Sequence, residues 1–190
     1  MFFGTKLWFR LIYFFTAMSP AYILFITKLI ISFQFDPIFG YKVIHFLIMF
    51  ALILIIILST IFLKGALCSI TKSQENLYSL NLETETKIEE VNGEVVSFLI
   101  GVIIPTVFFL EECLLPTIIM FILIQAMSFL LISKSNTIFP NVILILFGIN
   151  IYSLKNGKFL ISNLNINELN NKYIEGSLLG DNSSLICYVI

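Results

Sequence analysis

NGEVVSFLIGVIIPTVFFLEECLL, residues 92–115, decides the fold. An apolar segment over 95–110 carries Pro105 and stops at Glu111-Glu112-Cys113; apolar text resumes at Leu114 and runs to Ser133. A carboxylate pair between two such runs does not belong in a soluble core, because burying an ionised group is costly. At the tip of a transmembrane hairpin the same pair sits at the water interface. Residues 95–110 and 114–133 are therefore read as the third and fourth spans of a membrane protein. The third is shorter than the roughly 20 residues that cross a bilayer, so it borrows a turn from 91–94 or sits in a thinned, protein-lined site. Gly101 and Pro105, four apart, share a helical face and mark a place of close packing or kinking. Pro116 falls in a first turn, where a missing N–H costs nothing.

Composition agrees. The chain has 190 residues, 58% hydrophobic and 12% charged, with mean hydropathy +0.99. Soluble domains are about half apolar and about a quarter charged. A net charge of −1 and the lack of a basic, aromatic-rich stretch argue against direct nucleic-acid binding. The cysteines, Cys68, Cys113 and Cys187, are odd in number and far apart, and His45 is the single histidine. No structural zinc set or thiol-redox motif follows from that. The chain carries no GxGxxG, Walker A loop, HExxH or GxSxG. Glu111 and Glu112 are adjacent and so diverge on a helix. The expectation is a non-enzymatic protein without cofactor or metal.

Toward the N-terminus, Lys6 and Arg10 precede a first span over 11–33. This apolar run exceeds the roughly 7–15 residues of a signal-peptide core, so it is read as an anchor and not as a cleaved leader. Ser19-Pro20 lies near its middle and predicts a kink at Pro20. Lys28 is read as snorkelling to the interface. A turn at Asp36-Pro37 and Gly40 leads to a second span over 44–63, opened by an interfacial His45. Residues 64–94 form a polar loop whose acidic part, 83–94, reads as a short helix. Its Glu83, Glu85, Glu89 and Glu90 are candidates for docking a basic partner.

Past the fourth span, residues 138–149 are apolar but too short to cross; they lie in the interface, re-enter, or pack under the C-terminal module. That module, residues 150–190, changes character. Residues 151–154 and 158–162, joined through Asn156-Gly157, predict a β-hairpin, and 185–190 a closing strand. Lys155 and Lys158 flank the turn as further docking candidates. About forty residues is too few for an independent core, so the module is expected to lean on the membrane part, a sister chain or a partner. The fold class is an all-α membrane protein, four transmembrane helices in two hairpins, with a small cytoplasmic C-terminal α+β or β module.

Lys6, Arg10, Lys64, Lys72, Lys87, Lys134, Lys155, Lys158 and Lys172 fall on the side of the termini and middle loop; Lys42, with Lys28 near it, falls on the other. The positive-inside rule then places both termini in the cytoplasm of a bacterial inner membrane and the tips, including Glu111-Glu112, outside.

Three stretches resemble a known family. Glu94-x-x-Ser97-Phe98-Leu99 leading to Ile103-Ile104-Pro105, then Phe139-Pro140-Asn141 to Gly148-x-x-Ile151-Tyr152, then Phe159-Leu160-Ile161-Ser162 are similar to the KwaA family, the four-span membrane subunits of the Kiwa anti-phage system. The resemblance implies a homo-oligomer, a tetramer, that senses phage attack at the envelope and works with a cytoplasmic DNA-binding partner, KwaB. It supplies no catalytic residues. The competing readings are an oligomeric pore with Glu111 and Glu112 at its mouth, or a plain membrane anchor of another complex.

Overall fold

Ser19-Pro20 breaks the first apolar segment into two helices, α1 (Leu7–Ala17) and α2 (Ser19–Phe35), bent by 50° at Met18. This computed structural model describes residues 5–35, 39–72, 77–80, 88–90, 114–134, 140–154, 159–169, 174–178 and 185–188. Two local causes bend the segment. Pro20 lacks the N–H that a continuous helix would donate to Thr16, and its ring crowds that carbonyl. Thr16 Oγ1 also bonds back to the carbonyls of Ile12 (3.0 Å) and Tyr13 (2.8 Å), a habit that bends helices. The expected single kinked span over 11–33 is thus a pair of helices with distinct axes.

The next element is longer than expected. Helix α3 runs Phe39–Lys72, nine residues beyond the anticipated end of the second span at 63, and absorbs the start of the supposed polar loop. No proline or glycine pair interrupts 64–72. Its buried positions His45, Leu52 and Ser59 recur every seven residues and continue at Leu63 and Leu67, a narrow seam against α1 and α2. Helix α4 (Leu114–Lys134) matches the expected fourth span. It attaches through rings: Phe121 stacks on Phe25 (centroids 4.1 Å, 10° between planes) and meets Tyr22 edge-on, while Phe129 meets Phe14 at 5.3 Å.

The outer faces of α3 and α4 are hydrocarbon. In an apolar 18-residue stretch of each, within Lys42–Ser69 and Leu115–Lys134, only 17% and 11% of residues are buried. Apolar side chains exposed all round a long helix are stable in lipid, not in water. Two helices are long and apolar enough to cross a membrane, or three if the bent α1–α2 pair is one span. The expected third span over 95–110 lies outside the described residues.

The polar parts build one mixed sheet of six strands: β1 (Leu77–Leu80), β2 (Ile88–Glu90), β3 (Asn150–Leu154), β4 (Phe159–Ser162), β5 (Ile174–Leu178) and β6 (Leu185–Tyr188), in the order β1-β5-β6-β4-β3-β2. The predicted hairpin is present as β3 and β4, paired antiparallel with Ile151 opposite Ile161 and Tyr152 opposite Leu160. The closing strand β6 pairs parallel to β4. Two expectations are corrected. The acidic stretch read as a short helix contains strand β2, paired with β3; backbone pairing with an open edge outweighs weak local preference in so short a piece. The β module is also not confined to 150–190, because β1 and β2 come from the loop before it and form the two edges.

Two short helices flank β3 and β4: α5 (Val142–Leu146), which leads into β3, and α6 (Ile166–Leu169). Both faces of the sheet centre are covered. Ile151 and Ile161 join the helical core with Phe9, Leu63 and Leu67. Opposite them, Tyr152 and Leu160 lie under the turn that carries α6: Tyr152 Oη donates to the Leu164 carbonyl at 2.7 Å, and Leu169 is fully buried. Leu160 is fully buried, whereas Leu146 is 76% exposed. Leu160→Ala is expected to cost about 2–5 kcal/mol by cavity formation, and Leu146→Ala to stay within about 0.5 kcal/mol of the parent. Thermal unfolding of both variants in one detergent checks the contrast.

Candidate functional site

The polar groups that meet inside the described part of the molecule gather at the α1–α2 break. Asn141, fully buried, reaches it from the chain just before α5. Its Nδ2 donates to Thr16 Oγ1 at 2.8 Å and, at 3.4 Å, to the Tyr13 carbonyl, while its Oδ1 accepts from the Leu144 backbone N–H at 3.3 Å. One carboxamide therefore caps α5 and holds the bent end of α1. These contacts span 125 and 128 residues of sequence. Asn141 is competent for this because an amide presents donors and an acceptor at once.

The far end of α5 is closed as tightly. Gly148 has φ +71°, its N–H bonds to the Ile145 carbonyl at 2.9 Å, and the Ile149 N–H reaches back to the Leu144 carbonyl at 2.9 Å. This is the paired cap that a left-handed glycine permits, with Leu144 and Ile149 buried together in the core. Lys64 of α3 sets its ammonium 5.5 Å from the centre of the Phe147 ring. Residues 141–149 thus form a strut, capped at both ends, whose first residue grips α1 and whose last leads into β3 at Asn150. The stretch read as interfacial, re-entrant or packed under the last module packs against α1 and α2, with Leu146 and Phe147 exposed at its far end.

Among the described residues, the Ser19 hydroxyl at the break and the carboxamide of Gln125 on α4 are buried with no hydrogen-bond partner. Such groups are uncommon in folded proteins. No cluster of three or more His, Cys, Asp or Glu able to hold a metal ion occurs among the described residues.

The candidates named from sequence are dispersed. Pro20 is the second residue of α2, at the break it causes, and Pro116 is the third residue of α4. Glu89 and Glu90 lie on edge strand β2, in register with Ser153 and Tyr152. Gly101, Pro105, Glu111, Glu112, Glu83, Glu85, Lys155 and Lys158 lie outside the described residues. Sequence reasoning missed Asn141 and Thr16 as a pair. The signal on hand was Pro140-Asn141 before VILIL, a helix-start pattern that names the cap; nothing local names its partner 125 residues away.

A family model described as anti-phage protein KwaA matches residues 9–185. The chain belongs to the KwaA family. That match takes in most of α1, all of α2, the strut and five complete strands of the sheet. No curated protein and no solved structure matches the chain.

Asn141→Ala removes the cap and both donations to α1. The expected loss is about 1–3 kcal/mol, the cost of stripping partners from buried polar groups. Ser19→Ala removes a group that has no partner and is expected to leave melting unchanged or slightly raised. Thermal unfolding of the two variants separates these outcomes. If Asn141→Ala melts like the parent, the carboxamide is not holding the break.

Proposed function

We propose that this KwaA-family protein is a non-enzymatic sensor and scaffold of the bacterial inner membrane. It assembles as a homo-oligomer, a tetramer by family resemblance, and recruits a cytoplasmic DNA-binding effector of the KwaB type. The family match supports a role in anti-phage defence.

The observation that carries the reading is the composition of the sheet. Strands β2 and β3 are hydrogen-bonded neighbours, so residues 88–90 and 150–154 lie on one side of the membrane. Helix α4 falls between them in the chain and is long and apolar enough to cross. A crossing by α4 needs a return, and the apolar segment at 95–110 is the stretch between β2 and α4 with the composition to supply it. This supports the two-hairpin topology, and the lysine distribution supports a cytoplasmic sheet. There it offers a partner two strand edges, one carrying Glu89 and Glu90. It is also tied by Asn141 to the bent span, a route by which strain in the bilayer reaches the docking surface.

The test is affinity capture of the tagged full-length chain in mild detergent from cells that also express its genomic neighbour. A soluble DNA-binding protein is expected to co-purify, and Glu89→Lys with Glu90→Lys to reduce its recovery at least fivefold while the chain still inserts. Recovery of the chain alone, as an oligomer that renders liposomes leaky to ions, would replace the scaffold with a pore.

A further inference from the structure

Between the bent α1–α2 pair, α3 and α4 lies a cavity of about 470 Å³, partly open to the outside of the helix bundle. Its walls include Phe14 and Phe25 on either side of the break, Ala51 on α3, and Phe121 and Ala126 on α4. All described lining residues are aliphatic or aromatic except Gln125. The polar atoms of Gln125 are covered by protein, so it lends the wall its hydrocarbon stem. We propose that this cavity is a lipid site that takes one acyl chain out of the surrounding bilayer.

Three features select that guest. The lining is almost wholly apolar, and apolar cavities stay dry, so water does not fill it. The cavity sits among helices whose outer faces are apolar side chains, where the neighbouring medium is hydrocarbon. Its lining on α4 runs from Ile118 to Phe129, about 16 Å at 1.5 Å per residue; this is close to half of the roughly 30 Å hydrocarbon core, the depth of one leaflet. The volume is that of an ordinary ligand site, about 300–1,000 Å³, and has room for roughly fifteen groups the size of a water molecule. A single chain fits these limits; a bulky ring system or a charged headgroup does not.

The position of the site gives it a use. Phe14 and Phe25 flank the 50° break, and Asn141 ties the end of α1 to the strut that enters the sheet. A chain lodged here props the two half-helices apart, and its departure lets them close. Lipid binding itself is independent of the scaffold reading and is measured without phage or partner.

The experiment is native mass spectrometry of the full-length protein released from vesicles of phosphatidylethanolamine and phosphatidylglycerol. One phospholipid per chain is expected to survive activation that strips loosely held lipid. Ala51→Phe with Ala126→Phe, which fills the cavity from two sides, is expected to lower that retention at least fivefold. Ile53→Phe with Leu123→Phe, at exposed positions on the same two helices, is expected to leave it unchanged. Equal retention in the filled variant, or none in the parent, overturns the proposal. So does a change of oligomeric state in the filled variant with no lipid lost, which would make a sister chain the occupant. If the filled variant does not fold, as judged by circular dichroism, the parent's retention and Ala126→Phe alone decide the matter.

Discussion

The side-chain amide at residue 141 links parts of the molecule that hold together poorly without it. Helix α5 has five residues, too few to persist alone. Helix α1 is cut short by a proline that denies Thr16 its usual donor. The sheet centre needs a floor on its Ile151 and Ile161 face. Asn141 caps the first and grips the second, and through residues 142–149 it delivers β3 to the third. In a low-dielectric interior such bonds are stronger than in water, and their loss is correspondingly costly.

The KwaA-family match gives this arrangement a context. The described helices have a bend with a defined cause, an unbonded Ser19 hydroxyl inside it, and a capped helix leading out of it. A junction with a buried polar group left unpaired is less firmly held than a saturated one, and a bend is better placed to move than a straight helix.

Much of this was legible in the residues. Long apolar runs announced α3 and α4, because hydrocarbon on every face of a helix has one stable solvent. Pro20 announced the break, and Asn156-Gly157 between alternating runs announced the β3–β4 hairpin. What could not be read was non-local. Leu77 to Leu80 and Ile88 to Glu90 become strands because β5 and β3 offer them edges, and neither edge is visible in the loop itself. The glutamates at 89 and 90 suggest solvated helix as readily as strand. Asn141 reads as a cap for the VILIL helix after it, but its grip on Thr16 exists only once α5 has been brought against α1. The cavity likewise arises from the bend and from two alanines facing it, and no stretch of sequence encodes a void.

The two edge strands carry a further consequence, for how the molecule is made. Residues 77–80 and 88–90 leave the ribosome long before 150–154 and 174–178, with which they pair. Until then they are unpartnered, while α4 is still being synthesised and handed to the membrane. The sheet is therefore assembled after insertion, and it draws the first part of the chain against the last. A chain stalled or clipped before residue 174 would still hold its membrane helices but would leave β1 without its neighbour. The sheet thus registers that translation has run through β5 and β6, because its outer edge closes only on strands that are made after every described helix long enough to cross a bilayer.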